Sequence, residues 1–219
     1  MEDAYYAIVR NEIAPLLPAT AHRVLEVGCG AGGTLLWLRG RWPDAWLAGV
    51  DLNAGQLARA SGIDYAECCD LEIGLPAVEE SSIDLLLCLD VLEHLHDPWS
   101  AVKRLGRLVA PGGRIIASLP NVRHATVLWP LLVRGDWEYG SSGILDRTHL
   151  RFFTRKSAIG LIEAGGFVVD AVEGIGTQPG RRGRKFHIAT LGLMRDFLTR
   201  QYLVRGVRGD PGPRSRSAT

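Results

Sequence analysis

The stretch Val24-Leu25-Glu26-Val27-Gly28-Cys29-Gly30-Ala31-Gly32-Gly33 decides the fold. A short apolar run gives way to a glycine-rich turn, as a first buried strand feeding a helix would. Glycines there let the backbone approach a ligand closely at the helix N-terminus. Gly28, Gly30 and Gly33 also satisfy the G-x-G-x-x-G spacing of dinucleotide sites, so the turn alone does not choose its ligand. Asp51 lies 23 residues after Gly28, at the end of a second apolar run, where a carboxylate can take both hydroxyls of a ribose. Without a ligand, the glycines would serve a tight turn and Asp51 a helix N-cap. Glu26 separates the ligand classes. It stands two residues before Gly28 and so points to the ligand side of its strand. A pyrophosphate would meet that carboxylate at short range, whereas a ligand bearing an ammonium and a sulfonium would be attracted to it.

Working outward, strand and helix signals alternate. Trp46–Val50, Tyr65–Cys69, Ile83–Leu89, Arg114–Leu119, Phe167–Val172 and Tyr202–Val207 read as strands. Thr34–Arg41, Gly55–Ser61, Trp99–Val109 and a run from Thr154 (N-cap) to Ala164 read as helices, with a further helical stretch around Ile188–Leu198. The continuous apolar run Ile83–Leu89 fits a central parallel strand covered on both faces. Such alternation implies right-handed crossovers and an open, mostly parallel sheet. Before it, Tyr5, Ile8, Val9, Ile13 and Leu16 recur at helical spacing until Pro15 and Pro18. The expected organisation is an N-terminal helix and lid at 1–22, a main domain at 23–208 with an irregular insertion at 121–153, and a disordered tail at 209–219.

The chain has 219 residues, 47% hydrophobic and 22% charged, with net charge +1. That excludes wholesale disorder and argues against nucleic acid as a partner. Four cysteines, three of them in or beside apolar runs, read as reduced thiols, and no spacing matches a zinc site. No basic leader precedes an apolar stretch, and the longest apolar runs fall far short of a membrane span. A soluble cytoplasmic protein is expected, without membrane insertion, as monomer or homodimer.

The cationic ligand that suits Glu26 and Asp51 together is S-adenosylmethionine, with S-adenosylhomocysteine as its product. Five segments in order then resemble the class I S-adenosylmethionine-dependent methyltransferases over about Arg23–Arg208. They are Val24–Gly32, Gly49-Val50-Asp51-Leu52, Cys69-Asp70-Leu71, Ile83–Leu95 and Leu108–Arg114. The resemblance implies a Rossmann-like α/β fold with seven strands in the order 3-2-1-4-5-7-6, the last antiparallel. It implies a donor site of Glu26, Gly28, Cys29, Gly30, Asp51, Leu52, Asp70, Leu71, Leu89 and Asp90. Asp84, at a strand start, reads as structural. Glu93 and His94 match residues that usually line or underlie the cofactor loop, and His94, His96 and Asp97 lack a further ligand, so no metal is expected.

Ligands of open α/β sheets bind outside the carboxyl ends of the strands, so the segment after Leu119 emerges beside the transferable methyl. It resembles a bacterial branch that includes quinone-biosynthesis enzymes and domains found with polysaccharide-forming enzymes. The acceptor is expected to be a hydroxyl of a small molecule or glycan. A hydroxyl benefits from a base of near-neutral pKa, which suggests His149, in a polar loop before the apolar Phe152-Phe153, and second His124. Their structural alternative is a hydrogen bond that pins a loop. Asn121, Arg123, Arg147 and Arg151 are candidates to hold the acceptor, and Trp137 and Tyr139 to stack against it. Arg181–Lys185 is either a solvated loop or a contact to an anion. Competing readings are N- or C-methylation, a nicotinamide-dependent oxidoreductase, and a non-catalytic adenosine-binding module.

Overall fold

The computed structural model describes residues 9–176 and 195–209. The expected Tyr5 and Tyr6 lid, the Arg181–Lys185 run, the tail from residue 210 and the start of the Ile188–Leu198 helix lie outside the described residues. The strands are β1 (Arg23–Val27), β2 (Trp46–Asp51), β3 (Tyr65–Cys68), β4 (Ile83–Leu89), β5 (Val109–Pro120), β6 (Phe167–Ile175) and β7 (Gln201–Arg208). They form one sheet in the order β3-β2-β1-β4-β5-β7-β6. Pairing is parallel from β3 to β5, and β7 runs antiparallel between β5 and β6. The helices are α1 (Gly33–Arg41), α2 (Ala54–Leu57), α3 (Pro98–Gly106), α4 (Ala125–Arg134), α5 (Arg155–Ala164) and α6 (Arg195–Leu198).

The apolar run of β4 is explained by two cores, one on each face of the sheet. Leu85 and Leu87 pack with Val24, Leu35, Leu38 and Leu47 on one face. Leu86 and Cys88 pack with Leu25, Val27, Val102 and Leu105 on the other. Asp84 does have a structural role. Its Oδ2 accepts from the backbone N–H groups of His22 (2.8 Å) and Arg23 (2.9 Å), fixing where β1 begins.

Three local readings change. The segment before β1 is a 3-10 helix over Asn11–Leu16. Pro15 inside it removes a donor and crowds the carbonyl four residues back, which disfavours a continuing α-helix. Pro111-Gly112-Gly113 does not separate a helix from a strand. It lies within β5 as a register shift, where Ile83 pairs Val109 and Leu85 pairs Arg114. The insertion carries a regular helix, α4, despite Pro130 within it.

β1 and β4 are adjacent, and the strand order reverses between them. Their carboxyl ends therefore open the crevice where ligands of such sheets bind.

Candidate functional site

Gly28, Gly30 and Gly32 all sit at positive φ (+71°, +53° and +77°), a region open to glycine at little cost. The N–H groups of Gly28 and Cys29 both donate to Val50 O, at 2.7 and 3.1 Å, tying the turn to the end of β2. Asp51 completes that tie. Its Oδ2 accepts from Gly30 N and its Oδ1 from Asn53 N, both at 2.8 Å. Leu52, 69% exposed, stands beside it as a free apolar surface. Asp70 Oδ1 accepts from Glu72 N at 2.9 Å, whereas the Leu71 side chain is buried in the core.

Glu26 lies under this turn, 3% exposed. Burial raises its pKa to about 8, against the opposing pull of a hydrogen bond with the Thr34 side chain and of the Arg10 charge; Asp51 adds to the rise. With that pKa the carboxyl is mostly protonated at pH 7. The same burial holds the Cys29 and Cys88 thiols protonated, well above the ordinary range.

Sequence reading missed Arg10. Its guanidinium ion-pairs with Asp90 and with Glu12, and its Nη2 donates to Gln201 Oε1 at 3.2 Å. Asp90 is at φ +56°, unusual for a non-glycine residue, and is held there by Ser118 and Gln201. Its N–H donates to Ser118 Oγ, and that hydroxyl donates back to Oδ1, each at 2.8 Å; Gln201 Nε2 donates to the same carboxylate. Arg10 and Asp90 are 80 residues apart, and no local pattern announces such a contact.

The loop after β4 meets the segment expected to face the acceptor. Leu92–His94 form a single 3-10 turn, and Glu93 O accepts from Leu150 N (2.8 Å) and Arg151 N (3.0 Å), docking the 140–153 loop on it. This brings His149 against His94, with ring centroids 4.8 Å apart, edge to face. His149 Nδ1 contacts Ile144 O at 2.9 Å, and His94 Nδ1 contacts Thr148 O at 3.1 Å. A carbonyl only accepts, so both Nδ1 atoms carry a proton, and in the neutral form of either ring the lone pair is on Nε2. The loop-pinning role foreseen for His149 is therefore real, but it uses only one of its two nitrogens. Burial and the neighbouring His149 lower the His94 pKa. Glu93, 1% exposed, is pushed up to about 8 by burial, against Arg10. One nitrogen of each ring and one Glu93 oxygen fall within 4.8 Å of one another. The grouping considered from sequence, His94 with His96 and Asp97, does not form: His96 turns to Glu72, and Asp97 caps α3 through Ser100 N at 3.0 Å.

His149 also lines an open cleft of about 470 Å³ with Tyr139, Arg147, Leu150 and Phe152. Trp137, Tyr139 and Phe152 form a mutual aromatic cluster, with centroids 5.4–6.4 Å apart. Arg147 is exposed at this cleft. The other sequence candidates are engaged elsewhere. Asn121 is wholly buried; its Nδ2 donates to Asp196 O and Thr199 O, both at 2.7 Å, and its Oδ1 accepts from Arg123 N. Arg123 pairs with Asp196 at 2.8 Å, and Arg151 donates to His96 O. His124 caps α4, its Nδ1 accepting from Thr126 N at 3.2 Å. None of these four lines the cleft.

The profile of a methyltransferase domain matches residues 2–172. A ubiquinone biosynthesis O-methyltransferase of Paracidovorax citrulli is 35% identical over 138 residues, covering 57% of this chain and 54% of that protein. The corresponding protein of Cupriavidus pinatubonensis is 28% identical over 170 residues, 70% of this chain and 66% of that one. The chain spans about half to two thirds of the length of these curated relatives. Among solved structures, an S-adenosylmethionine-dependent methyltransferase from Mesorhizobium loti superposes with TM-score 0.64 at 19% identity, covering 90% of this chain and 96% of that one. One from Archaeoglobus fulgidus gives 0.65 at 18%, covering 95% of both. The fold agrees across these structures, and the profile spans most of the sequence. This chain belongs to the class I S-adenosylmethionine-dependent methyltransferase family.

Proposed function

We propose that this protein transfers the methyl group of S-adenosylmethionine to a hydroxyl of a small molecule or sugar seated in the 137–152 cleft. The observation that carries this reading is His149: one nitrogen is pinned to a carbonyl, and the ring lines the cleft with its other nitrogen basic. When bound, the sulfonium supplies the driving force of an in-line displacement at carbon, so the chain's residues mainly position groups and manage one proton. Asp51 is the group for the ribose hydroxyls, Asp70 and Leu52 for the adenine, and Glu26 for the ammonium. Arg10, which ion-pairs with Asp90 and whose charge acts on Glu26, is the counter-charge for the methionyl carboxylate. Trp137, Tyr139 and Phe152 offer a stacking wall, and Arg147 a guanidinium for an anionic substituent of the acceptor. The relatives named O-methyltransferases support oxygen as the accepting atom.

Calorimetry with S-adenosylhomocysteine and with NADH tests the donor; binding of the first alone is expected, and preference for NADH would overturn the reading. Incubation with labelled donor and fractionated bacterial metabolites then identifies the acceptor. On that acceptor, His149→Ala is expected to lower turnover by about 10²–10⁴-fold with S-adenosylhomocysteine affinity unchanged. Turnover that survives His149→Ala would instead point to nitrogen or carbon as the accepting atom.

A further inference from the structure

Methyl transfer to a hydroxyl leaves a charge to be settled. A sulfonium becomes a neutral thioether, and the acceptor must lose a proton. The base reading of His149 accounts for the first host of that proton but not for what balances the lost cation. An acid with no other assigned role lies beside that proposed base. Glu93 is buried behind His149 and His94, and its Oε2 has no hydrogen-bond partner. Such an orphan acceptor in the interior is costly unless the carboxyl is protonated or another group comes to meet it. One of its oxygens lies within 4.8 Å of a nitrogen of each imidazole, a gap that a bridging water or a small rotamer change spans.

Glu93 also belongs to the donor side. Val91, two residues earlier, packs on the glycine turn, its Cγ2 standing 2.2 Å from where a Cβ on Gly28 would be. Asp90, next to Val91, holds Arg10, whose charge acts on both Glu26 and Glu93. One loop therefore carries the wall of the donor crevice and the carboxyl behind the proposed base.

We propose that Glu93 is the proton store of the reaction: its carboxyl ionises when the sulfonium arrives and regains a proton, through His149, as the sulfonium charge disappears. This rests on the methyl-transfer reading above. The step balances. The acceptor O–H bond breaks toward His149 Nε2 while the C–O bond forms and the methyl–sulfur bond breaks, its electron pair remaining on sulfur. The imidazolium then passes its proton to the Glu93 carboxylate. The site holds one positive charge fewer on sulfur and one proton more on the cluster, so its net charge is constant through the transfer. In a low-dielectric interior that constancy avoids an uncompensated charge. The resting protein is poised for it, because burial leaves Glu93 mostly protonated at pH 7 until a cation approaches. The neighbouring His94 stays neutral beside a charged His149 because burial and that neighbour oppose its protonation.

The groups facing this cluster are Arg10 from the N-terminal segment, Cys88 at the end of β4, Asp90 on the same loop, and Asp146 beside His94 and His149. Glu26 is a second buried acid at the donor site, and the test has to separate it. Proton release on ligand binding is measured at pH 7 by calorimetry in buffers of different ionisation enthalpy. S-adenosylmethionine and S-adenosylhomocysteine share the ammonium but differ in the sulfonium. The first is expected to release more protons than the second, by about half a proton per site or more. Glu93→Gln should erase that difference, whereas Glu26→Gln should lower the release common to both ligands and keep the difference. Near pH 9.5 the difference should vanish in the unmodified protein, where Glu93 is ionised beforehand.

Equal release for the two ligands at pH 7, or a difference that persists in Glu93→Gln, would overturn the proposal while leaving methyl transfer standing. Failure of both ligands to bind would sink the methyl-transfer reading itself. Stoichiometric binding of Mn²⁺ or Zn²⁺, abolished by Glu93→Gln, would make the cluster a cation site and would equally overturn the proton store.

Discussion

A methyl group on Gly28 would meet Val91 Cγ2 at 2.2 Å, and the residue's φ of +71° adds strain for any L side chain. Left-handed backbone costs a non-glycine residue about 1–2 kcal/mol, and the overlap adds to that. Gly28→Ala should therefore move the 90–94 loop or the turn itself. We expect S-adenosylhomocysteine affinity to fall by about tenfold or more with a lower Tm; calorimetry giving wild-type affinity would show that the loop yields freely. At this scale some of the site was legible and some was not. Glu26, Asp51 and His149 could be singled out as candidates because the residue type at each position suggests one local role. Arg10 and Glu93 did not, because what defines them is a partner far along the chain: Asp90 for the first and His149 for the second. Asn121 and Arg123 misled for the converse reason. Their polarity suggested a ligand, but it serves Asp196 and Thr199 of the β6–β7 connection.

Elements with complete local signals were read closely. The helix α5 begins where Thr154 suggested, through a reciprocal cap: Ser157 N donates to Thr154 Oγ1 at 3.3 Å, and Thr154 N donates to Ser157 Oγ at 2.9 Å. Such a cap contributes about 1 kcal/mol. Thr154→Ala should lower Tm by roughly 2–4 °C. S-adenosylhomocysteine affinity should stay unchanged, because α5 packs on β6, β7 and α3 and not on the glycine turn. A loss of affinity in calorimetry would mean that the cap supports the acceptor loop and, through it, the donor crevice. Elements whose signals conflict were read less well. In α4, Pro130 within a run of apolar residues concealed a ten-residue helix. In the N-terminal segment, helical periodicity ran into Pro15, and the 3-10 form resulted. The Pro111–Gly113 turn had the right chemistry but the wrong consequence, since β5 absorbs it as a bulge instead of starting after it.

For the molecule as a whole, alternation, handedness and the apolar β4 indicate an open, mostly parallel sheet, and the family resemblance supplies its strand order, whereas the cost of burying acids beside the glycine turn is visible only in three dimensions. Two acids, Glu26 and Glu93, are both wholly buried and both raised to about 8 from an ordinary 4.5. In the unfolded chain each ionises near 4.5, so between 4.5 and 8 the folded state holds protons that the unfolded state has lost. Stability then falls as pH rises, each acid contributing on the order of 1 kcal/mol per pH unit. The depressed pKa values of His94 and His124 act oppositely, but only below about 6.5. Between pH 7 and 8 the acids act without that opposition. Thermal melts of the ligand-free protein should show Tm dropping by roughly 5 °C over that unit. The drop should largely disappear in Glu26→Gln/Glu93→Gln, whose amides are neutral at every pH. A flat wild-type profile would mean that both carboxyls are ionised in the folded state, with counter-charges closer than Arg10. The donor site would then be set for its cation before the cation arrives, and ligand binding at pH 7 would release no protons from either acid.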